Sequence, residues 1–444
     1  MEISSSLQAL SDIFPKPLYV VGGAVRNHFA GFSGGDVDLA SQMTPEALKS
    51  LSQASDFKVV PVNLKIGTVL LIAKGEYYEH TTFRADSYAF QGSHNPTDVK
   101  FVTELNIDAK RRDFTINAIY YDIKTKSYID PTGGIEDVRN RIVKTIKDPV
   151  STFKEDALRL LRLVRLAAET GFDIDEETFS AAKSVSKLIL AISKERIRDE
   201  INTMLIADLK YNVANAHYRA FKIADEMQLL SNIFPDLMKG KGMIQPAAYH
   251  RYDVFEHLLK TMQASPPELR LVGLLHDIGK PSAYLKTSSY STHASEGAKI
   301  CRKILNDLRY PKETISNICR IVEIHMFDFL ENATEQELAL FVRDNFRLID
   351  DLLKLMKADE IGSGSIRTFD NRITRIMNAK NDFIDNNLPV TVSELKVTGF
   401  DLIPRDVESK FRSKILKELL RRSIIEKANT RKAQLEILDQ ILKE

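Results

Sequence analysis

LYVVGGAVRNHFAGFSGGDVDLA, residues 18–40, reads as a short apolar strand over 18–21, a glycine pair at Gly22 and Gly23, and one or two helical turns from Ala24. A glycine-rich loop then leads into a second strand carrying Asp36 and Asp38. Side chains alternate across a strand, so the two carboxylates are expected on one face and Val37 in the core. Adjacent anions repel unless a cation lies between them. Hard oxygen ligands suit Mg²⁺, which is held by one or two carboxylates together with substrate phosphates. Gly22 and Gly23 let the backbone approach a phosphate, the N–H groups of the following turn point outward, and Arg26 adds a fixed positive charge. A metal on one side and a phosphate cradle on the other describe a nucleotidyl-transfer site.

Strand, glycine pair, helix, loop and Asp pair in this order resemble the first motif of the nucleotidyltransferase superfamily that includes DNA polymerase β. Within it the resemblance is to class II tRNA nucleotidyltransferases (CCA-adding enzymes) and bacterial poly(A) polymerases. Their motif has the form GGxVRD followed by DxD, and Asn27 stands where the family usually has Asp. The fold so implied is α+β: an N-terminal polymerase-β-like head, a small mixed sheet with helices over residues 1–145, followed by an all-α neck, a helical HD domain and a helical tail.

Along the head, Thr44-Pro45-Glu46 opens a short helix with a capping threonine and proline at its first position. Residues 57–62, 67–73 and 77–83 are β-rich, and Glu79 on the last is a candidate third carboxylate near the metal. Residues 84–100 lose all alternation and read as a long mobile loop; Tyr88, Gly92, His94 and Pro96 keep the length of a loop that the family ties to the choice between C and A. In Arg111-Arg112-Asp113-Phe114-Thr115-Ile116-Asn117-Ala118 the paired arginines offer bidentate donors to phosphate, and the acid beside them can accept from ribose hydroxyls. This run resembles the family's second motif, which assigns Arg112, Asp113 and Asn117 to the nucleotide. Asp130-Pro131-Thr132-Gly133-Gly134, with Asp137 and Arg141, resembles the third and is expected to shape a turn that closes the head.

The neck, residues 146–240, opens with EDALRLLRLVRLAA, residues 155–168, an amphipathic helix ending at Gly171. Asp156, Arg159, Arg162 and Arg165 recur every third residue, and since three residues turn about 300° they form a drifting stripe. An Asp carboxylate can accept from the exocyclic amine of cytosine or adenine while an Arg one turn on donates to the adjacent ring acceptor. The resembled EDxxRxxRxxRF motif has this role, with Leu166 here in place of Phe. Arg162 and Arg165 are then expected to face the triphosphate or the RNA end. Residues 193–200, SKERIRDE, resemble the fifth motif and read as a capping box.

Over residues 245–365, His257, then His276-Asp277, then Asp359 spell H…HD…D, with His293 and His325 as candidates to enlarge the set. This resembles the HD metal-dependent phosphohydrolases. Imidazole suits Mn²⁺, Ni²⁺ or Zn²⁺ and carboxylate suits harder ions, so the metal stays open. The resemblance implies phosphodiesterase or phosphatase action on an RNA terminus; the alternative is an idle HD fold that braces RNA. In the tail, residues 366–444, the segment 393–403 resembles the one that follows HD modules, and residues 409–444 form a charged helical pair suited to phosphate contact.

With 62 basic and 61 acidic residues, any nucleic-acid surface must be a local patch. Two cysteines, Cys301 and Cys319, fit a reducing cytosol. The N-terminus shows no basic region followed by an apolar core, and no apolar run approaches ~18 residues, so neither secretion nor membrane spanning is expected. The expected activity is Mg²⁺-dependent addition of CCA from CTP and ATP to the tRNA 3′ end. LASQMTPE (39–46) and NLKIGTVLLI (63–72) look more like the CCA-adding pattern than the basic block of poly(A) polymerases. CC-only or A-only addition, poly(A) synthesis, a principal HD phosphohydrolase activity, and an RNA-binding scaffold are the alternatives.

Overall fold

Val20 and Val21 are fully buried in β1 (Tyr19–Val21), which lies inside a seven-stranded mixed sheet. Its other members are β2 (Asp38–Ser41), β3 (Lys58–Asn63), β4 (Thr68–Ala73), β5 (Glu76–Thr82), β8 (Tyr120–Asp122) and β9 (Ser127–Ile129). The order is β3-β4-β5-β2-β1-β8-β9. β1 is antiparallel to β2 and β8, whereas β2 and β5 run parallel. β6 (Arg84–Ser87) and β7 (Asp98–Phe101) form a separate antiparallel pair. The computed structural model describes residues 1–87, 97–247, 249–364 and 370–444. Tyr88, Gly92, His94 and Pro96 of the expected loop lie outside the described residues.

The chain divides into two units, Met1–Met238 with Asp307–Tyr310, and Lys239–Asn306 with Pro311–Glu444. In the first, β3 holds the sheet edge and carries Pro61, which cannot donate to a ladder on both sides. Thr44 caps Pro45–Gln53 by accepting from Ala47 N, as its sequence predicts. Beyond β9 the first unit is helical apart from one short pair of strands. Leu160, Leu161, Leu163, Val164 and Ala167 of the helix Leu158–Thr170 are completely buried, and Gly171 ends it in the left-handed conformation.

Two local expectations need correction. Residues 155–168 are not one helix: Pro149–Glu155 ends at Asp156, whose backbone is extended, and a new helix runs Leu158–Thr170. The cause is the Asp156 side chain, which accepts the Leu158 N–H at 2.9 Å and so competes with the helical ladder. Ser193 precedes Lys194–Leu205 but makes no side-chain cap; the third helical residue is Arg196, which has no acceptor to complete a capping box.

The second unit contains helices Val254–Ala264, Arg270–Leu275, Lys280–Thr287, Lys312–Ile324, Ile349–Ser363 and Asp370–Asp385, then the expected pair Ser409–Ile425 and Arg431–Ile441. A Cβ on Gly279 would meet His293 O at 2.1 Å, so only glycine lets the His276-Asp277 turn close against the helix His293–Asp307. No helix among the described residues is long and apolar enough to cross a membrane.

Candidate active site and candidate metal centre

In the first unit a cavity of about 690 Å³ is lined by Gly22, Gly23, Asp36 and Asp38 together with the arginines of the Arg111–Arg112 run and of the neck helix. Asp38 begins β2, opposite Val21 on one side and Glu79 on the other. Asp36 precedes the strand and Val37 is only half-buried, so the alternation expected of Asp-Val-Asp does not extend to Asp36. The approach to it is fixed by Asn27, whose Nδ2 donates to Gly34 O at 3.0 Å; an Asp there could accept but not donate. Gly22, at φ +80°, allows the turn to pass under Asp38: an added Cβ would sit 3.5 Å from Asp38 Oδ2.

Asp38 reaches solvent, yet desolvation by the surrounding protein, then the charge of Glu79 and more weakly that of Asp36, push its carboxyl up to about 6. Arg112 and Arg162 oppose the shift. A carboxylate raised by neighbouring acids is what a bound cation would relieve. Glu79 is therefore beside Asp38, but with Asp36 and Asp38 it does not form a set drawn within 4.8 Å as the second site does.

The arginines are held more tightly than their sequence suggests. Arg111 Nε and Arg112 Nη2 both reach Asp108, at 2.7 and 3.1 Å, and Tyr120 Oη donates to it at 2.7 Å. Burial raises the Asp108 carboxyl, but the two guanidinium groups outweigh it and bring it down to about 2. Asp113 Oδ2 accepts from Arg162 Nε and Nη2 at 2.9 and 2.6 Å, and Asp113 Oδ1 accepts from Asn117 Nδ2 at 3.2 Å. Burial again works against ionisation and Arg162 and Arg159 win, holding the Asp113 carboxyl well below the usual range. Asn117 Oδ1 in turn accepts from Arg26 at 2.6 Å, and Arg26 Nη2 donates to Tyr211 Oη at 2.8 Å.

Arg26 is buried and donates to Asn117, Asn27 and Tyr211, so that among the described residues none of its hydrogen-bond acceptors is an acid. Its charge is left to the cavity. Arg159 donates to Thr152 O, Glu155 and Arg111 O, while Arg165 pairs with Glu200 at 2.9 Å and Glu169 at 3.8 Å. Arg162 and Arg165, expected to face the triphosphate or the RNA end, both line the cavity, and each is paired there with a carboxylate. Asp156 is buried beside Arg159, and desolvation, opposed by that arginine, raises its carboxyl to about 6.

Sequence reasoning missed Asp108, and Lys210 and Tyr211, which line the cavity, Lys210 with its Nζ 3.3 Å from Glu169 Oε2. Asp108 had a signal, an acid three and four residues before two arginines on a helix; Tyr211 had none.

In the second unit His257, His276, Asp277 and Asp359 bring ligand atoms within 4.8 Å of one another, and Asp277, His293 and His325 form a second such set. Asp277 is common to both. His276, His293 and His325 place Nδ1 against the carbonyls of Gly273, Tyr290 and Val322 at 2.9, 2.5 and 2.7 Å. A carbonyl only accepts, so each Nδ1 carries the proton and each Nε2 faces inward. His293 Nε2 lies 3.2 Å from His325 Nε2 and 3.0 Å from Asp277 Oδ1. Lone pairs this close to one another and to a carboxylate repel unless a cation, a proton or a metal ion, lies among them. The buried Oδ1 atoms of Asp277 and Asp359 also lack a hydrogen-bond donor. The donor set fits divalent ions that accept both imidazole and carboxylate.

Residues 18–144 match the poly A polymerase head domain family, a span that holds the seven-stranded sheet and the cavity wall with Asp36 and Asp38. Behind this head, residues 171–240 match the family described as a probable RNA and SrmB-binding site of polymerase A, and residues 248–355 match the HD domain. Among relatives, a CCA-adding enzyme of Lactobacillus helveticus is 37% identical over 227 residues, 51% of this chain and 53% of that one. One of Geobacillus stearothermophilus is 41% identical over 187 residues, 42% and 45% of the two chains. The chain spans about half the length of these curated relatives. The fold is shared with a crystal structure of a Bacillus stearothermophilus CCA-adding enzyme in complex with CTP, at a TM-score of 0.70 and 24% identity over 99% of this chain and 98% of that one. It is shared also with a Thermotoga maritima CCA-adding enzyme complexed with tRNA, at a TM-score of 0.57 and 17% identity over 99% and 96%.

Proposed function

We propose that this chain is a cytosolic tRNA nucleotidyltransferase that adds CCA to the 3′ end from CTP and ATP, without a template, releasing pyrophosphate. The observation that carries the reading is that one cavity of the poly A polymerase head unit holds Asp36 and Asp38 at one wall and Asp156, Arg159, Arg162 and Arg165 at another. In this reading residues 1–145 are the catalytic head, 146–240 the base-reading neck, 245–365 the HD domain and 366–444 an RNA-binding tail.

Asp36 and Asp38 would hold Mg²⁺, which when bound neutralises charge at the α-phosphate and favours ionisation of the RNA 3′-hydroxyl. The turn at Gly22 and Gly23, with the buried charge of Arg26, cradles the phosphates. The 3′-oxygen forms a bond to the α-phosphorus as the bond to pyrophosphate breaks. Arg112 and Arg162 supply charge beside that centre, while Asp113 holds Arg162 in place and takes the ribose only through an oxygen that already accepts from Asn117. Asp156 accepts from the amine of cytosine or adenine and Arg159 donates to the neighbouring ring atom, a pairing that uracil and guanine cannot satisfy.

A second activity is favoured by the shared Asp277 of the HD cluster: hydrolysis of phosphoesters at RNA ends, with His257, His276, Asp277 and Asp359 holding one Mn²⁺, Ni²⁺ or Zn²⁺ and Asp277, His293 and His325 another. The test of the principal reading offers a tRNA lacking its terminal CCA to the full chain with Mg²⁺. CTP alone should add two residues and CTP with ATP should complete the tail and stop. No A after C identifies a CC-only enzyme, A only on a CC end an A-only enzyme, and long A tails a poly(A) polymerase. Binding without incorporation contradicts the reading.

A further inference from the structure

We infer that Arg196, on the helix Lys194–Leu205, binds the terminal phosphate of the incoming nucleoside triphosphate. The inference rests on reading the cavity of the first unit as the nucleotide site, and its test separates the two.

Arg196 lines that cavity beside the arginines already described. The other cations there are answered by protein groups. Arg84 has Asp86 at 2.9 Å, Arg111 and Arg112 share Asp108 at 2.7 and 3.1 Å, and Arg159 has Glu155 at 3.2 Å. Arg162 takes Asp113, Arg165 takes Glu200, and Lys210 lies 3.3 Å from Glu169. Arg26 has no acid but donates to two amides and a phenol. Arg196 has neither: among the described residues its side chain makes no ion pair and no hydrogen bond.

The side chain of Arg196 is half-buried, and burial, with no acid to offset it, pushes the guanidinium down from its ordinary value. It also stands in the first turn of its helix, where the partial positive charge of the helix end disfavours a cation and favours an anion. A guanidinium held at a cavity wall without a counter-charge carries a cost that an anion entering the cavity removes.

Its place in the fold says which anion. Glu200 follows it by four residues, so both lie on one face of the helix, and Glu200 holds Arg165 at 2.9 Å. Arg165 reaches Glu169, Glu169 reaches Lys210, and the adjacent Tyr211 accepts from Arg26 at 2.8 Å. A row of side chains thus leads from the phosphate cradle of Arg26 to the helix that carries Arg196. The base-reading pair lies the other way, since Arg159 precedes Arg165 by six residues, about 9 Å along the helix. With the base at Asp156 and Arg159 and the α-phosphate at Asp36 and Asp38, the end of the triphosphate falls to the Arg165 side. A terminal phosphate has a further free oxygen and a further charge compared with an RNA backbone phosphodiester, and a planar fork of donors answers both.

The test measures binding of CTP and CDP to the full chain by calorimetry, with Mg²⁺ and without tRNA, for wild type, Arg196→Ala and Arg196→Lys. Thermal unfolding and tRNA affinity are followed beside it. Arg196→Ala should bind CTP at least about tenfold more weakly and CDP as wild type does, and Arg196→Lys should recover only part of the loss. Without nucleotide, Arg196→Ala should unfold no lower than wild type, and its tRNA affinity should be unchanged. Should Arg196→Ala fail to fold, Arg196→Lys, which keeps the charge and loses the fork, decides. Equal CTP binding by all three proteins, an equal loss for CTP and CDP, or a loss confined to tRNA overturns the assignment alone. No CTP binding by wild type overturns the nucleotide reading and the assignment with it.

Discussion

Asp113 and Arg162 lie 49 residues apart and meet through two hydrogen bonds on a single carboxylate oxygen, Oδ2. The pair joins the acid that follows the two head arginines to the neck helix, and through Asn117 and Arg26 it continues to Tyr211. The walls of the candidate nucleotide cavity are thereby tied into one network.

Neutralising this acid should loosen the network without destroying the fold. Asp113→Asn leaves Arg162 without its partner, and hydrogen bonds to charged groups contribute about 1.5–3 kcal/mol. Because the Arg162 side chain is 39% exposed, water compensates part of the loss and the lower end applies. Urea unfolding of Asp113→Asn, Arg162→Ala and the double variant should give a coupling energy of about 1 kcal/mol. A coupling of zero would mean the pair holds nothing together.

The raised carboxyl of Asp38 makes a signed prediction about pH. Its folded value of about 6 exceeds the unfolded value of about 3.9, so the folded state binds this proton more tightly. The charged form therefore costs stability; the cost is absent below the unfolded value, grows between the two, and is complete above about 6. Without divalent ions, Asp38→Asn should melt higher than wild type at neutral pH and equal to it near pH 4. Mg²⁺ should raise the melting temperature of wild type alone. A difference independent of both pH and Mg²⁺ would contradict the account.

Gly22→Ala places a side chain at φ +80° and 3.5 Å from Asp38 Oδ2. With ψ at −136° the backbone lies in a region that essentially only glycine populates, and the strain should cost about 1–3 kcal/mol. The rate of nucleotide incorporation should fall much further, since the turn relaxes its strained backbone beside the acid that receives the metal. Equal incorporation by variant and wild type would show that this turn does not set the position of Asp38.

The shared ligand of the histidine cluster predicts a stoichiometry. In an Asp38→Asn background, which removes the metal site of the head, metal analysis after Mn²⁺ loading should find two ions per chain with the cluster intact, one when His293→Ala or His257→Ala is added, and none when Asp277→Asn is added. Identical content with and without His293→Ala would reduce the cluster to a single ion.

Most chemistry-bearing residues were legible because they sit in short runs: the glycine and Asp pairs, the Arg111–Asp113 run, the arginines of one helix, and four HD ligands in chain order. The sheet followed from alternation and β-branched residues over β3, β4 and β5. What escaped depends on partners far along the chain. Arg26 looks like a simple phosphate clamp until Tyr211, 185 residues away, and Asn117 are seen to hold it. Arg162 and Arg165 look like free charges until Asp113 and Glu200 take them. The break at Asp156 was hidden for a local reason, since its periodicity matches a continuous helix while its side chain caps the next one.

The central claim is that the acids of the head, and not those of the HD cluster, carry tail synthesis. Asp38→Asn and Asp277→Asn should be compared with wild type for incorporation of CTP and ATP into tRNA lacking its CCA end, in Mg²⁺, after each is shown to be folded. The account predicts that Asp38→Asn abolishes incorporation and that Asp277→Asn extends tRNA at the wild-type rate. Incorporation lost in Asp277→Asn and kept in Asp38→Asn would contradict it.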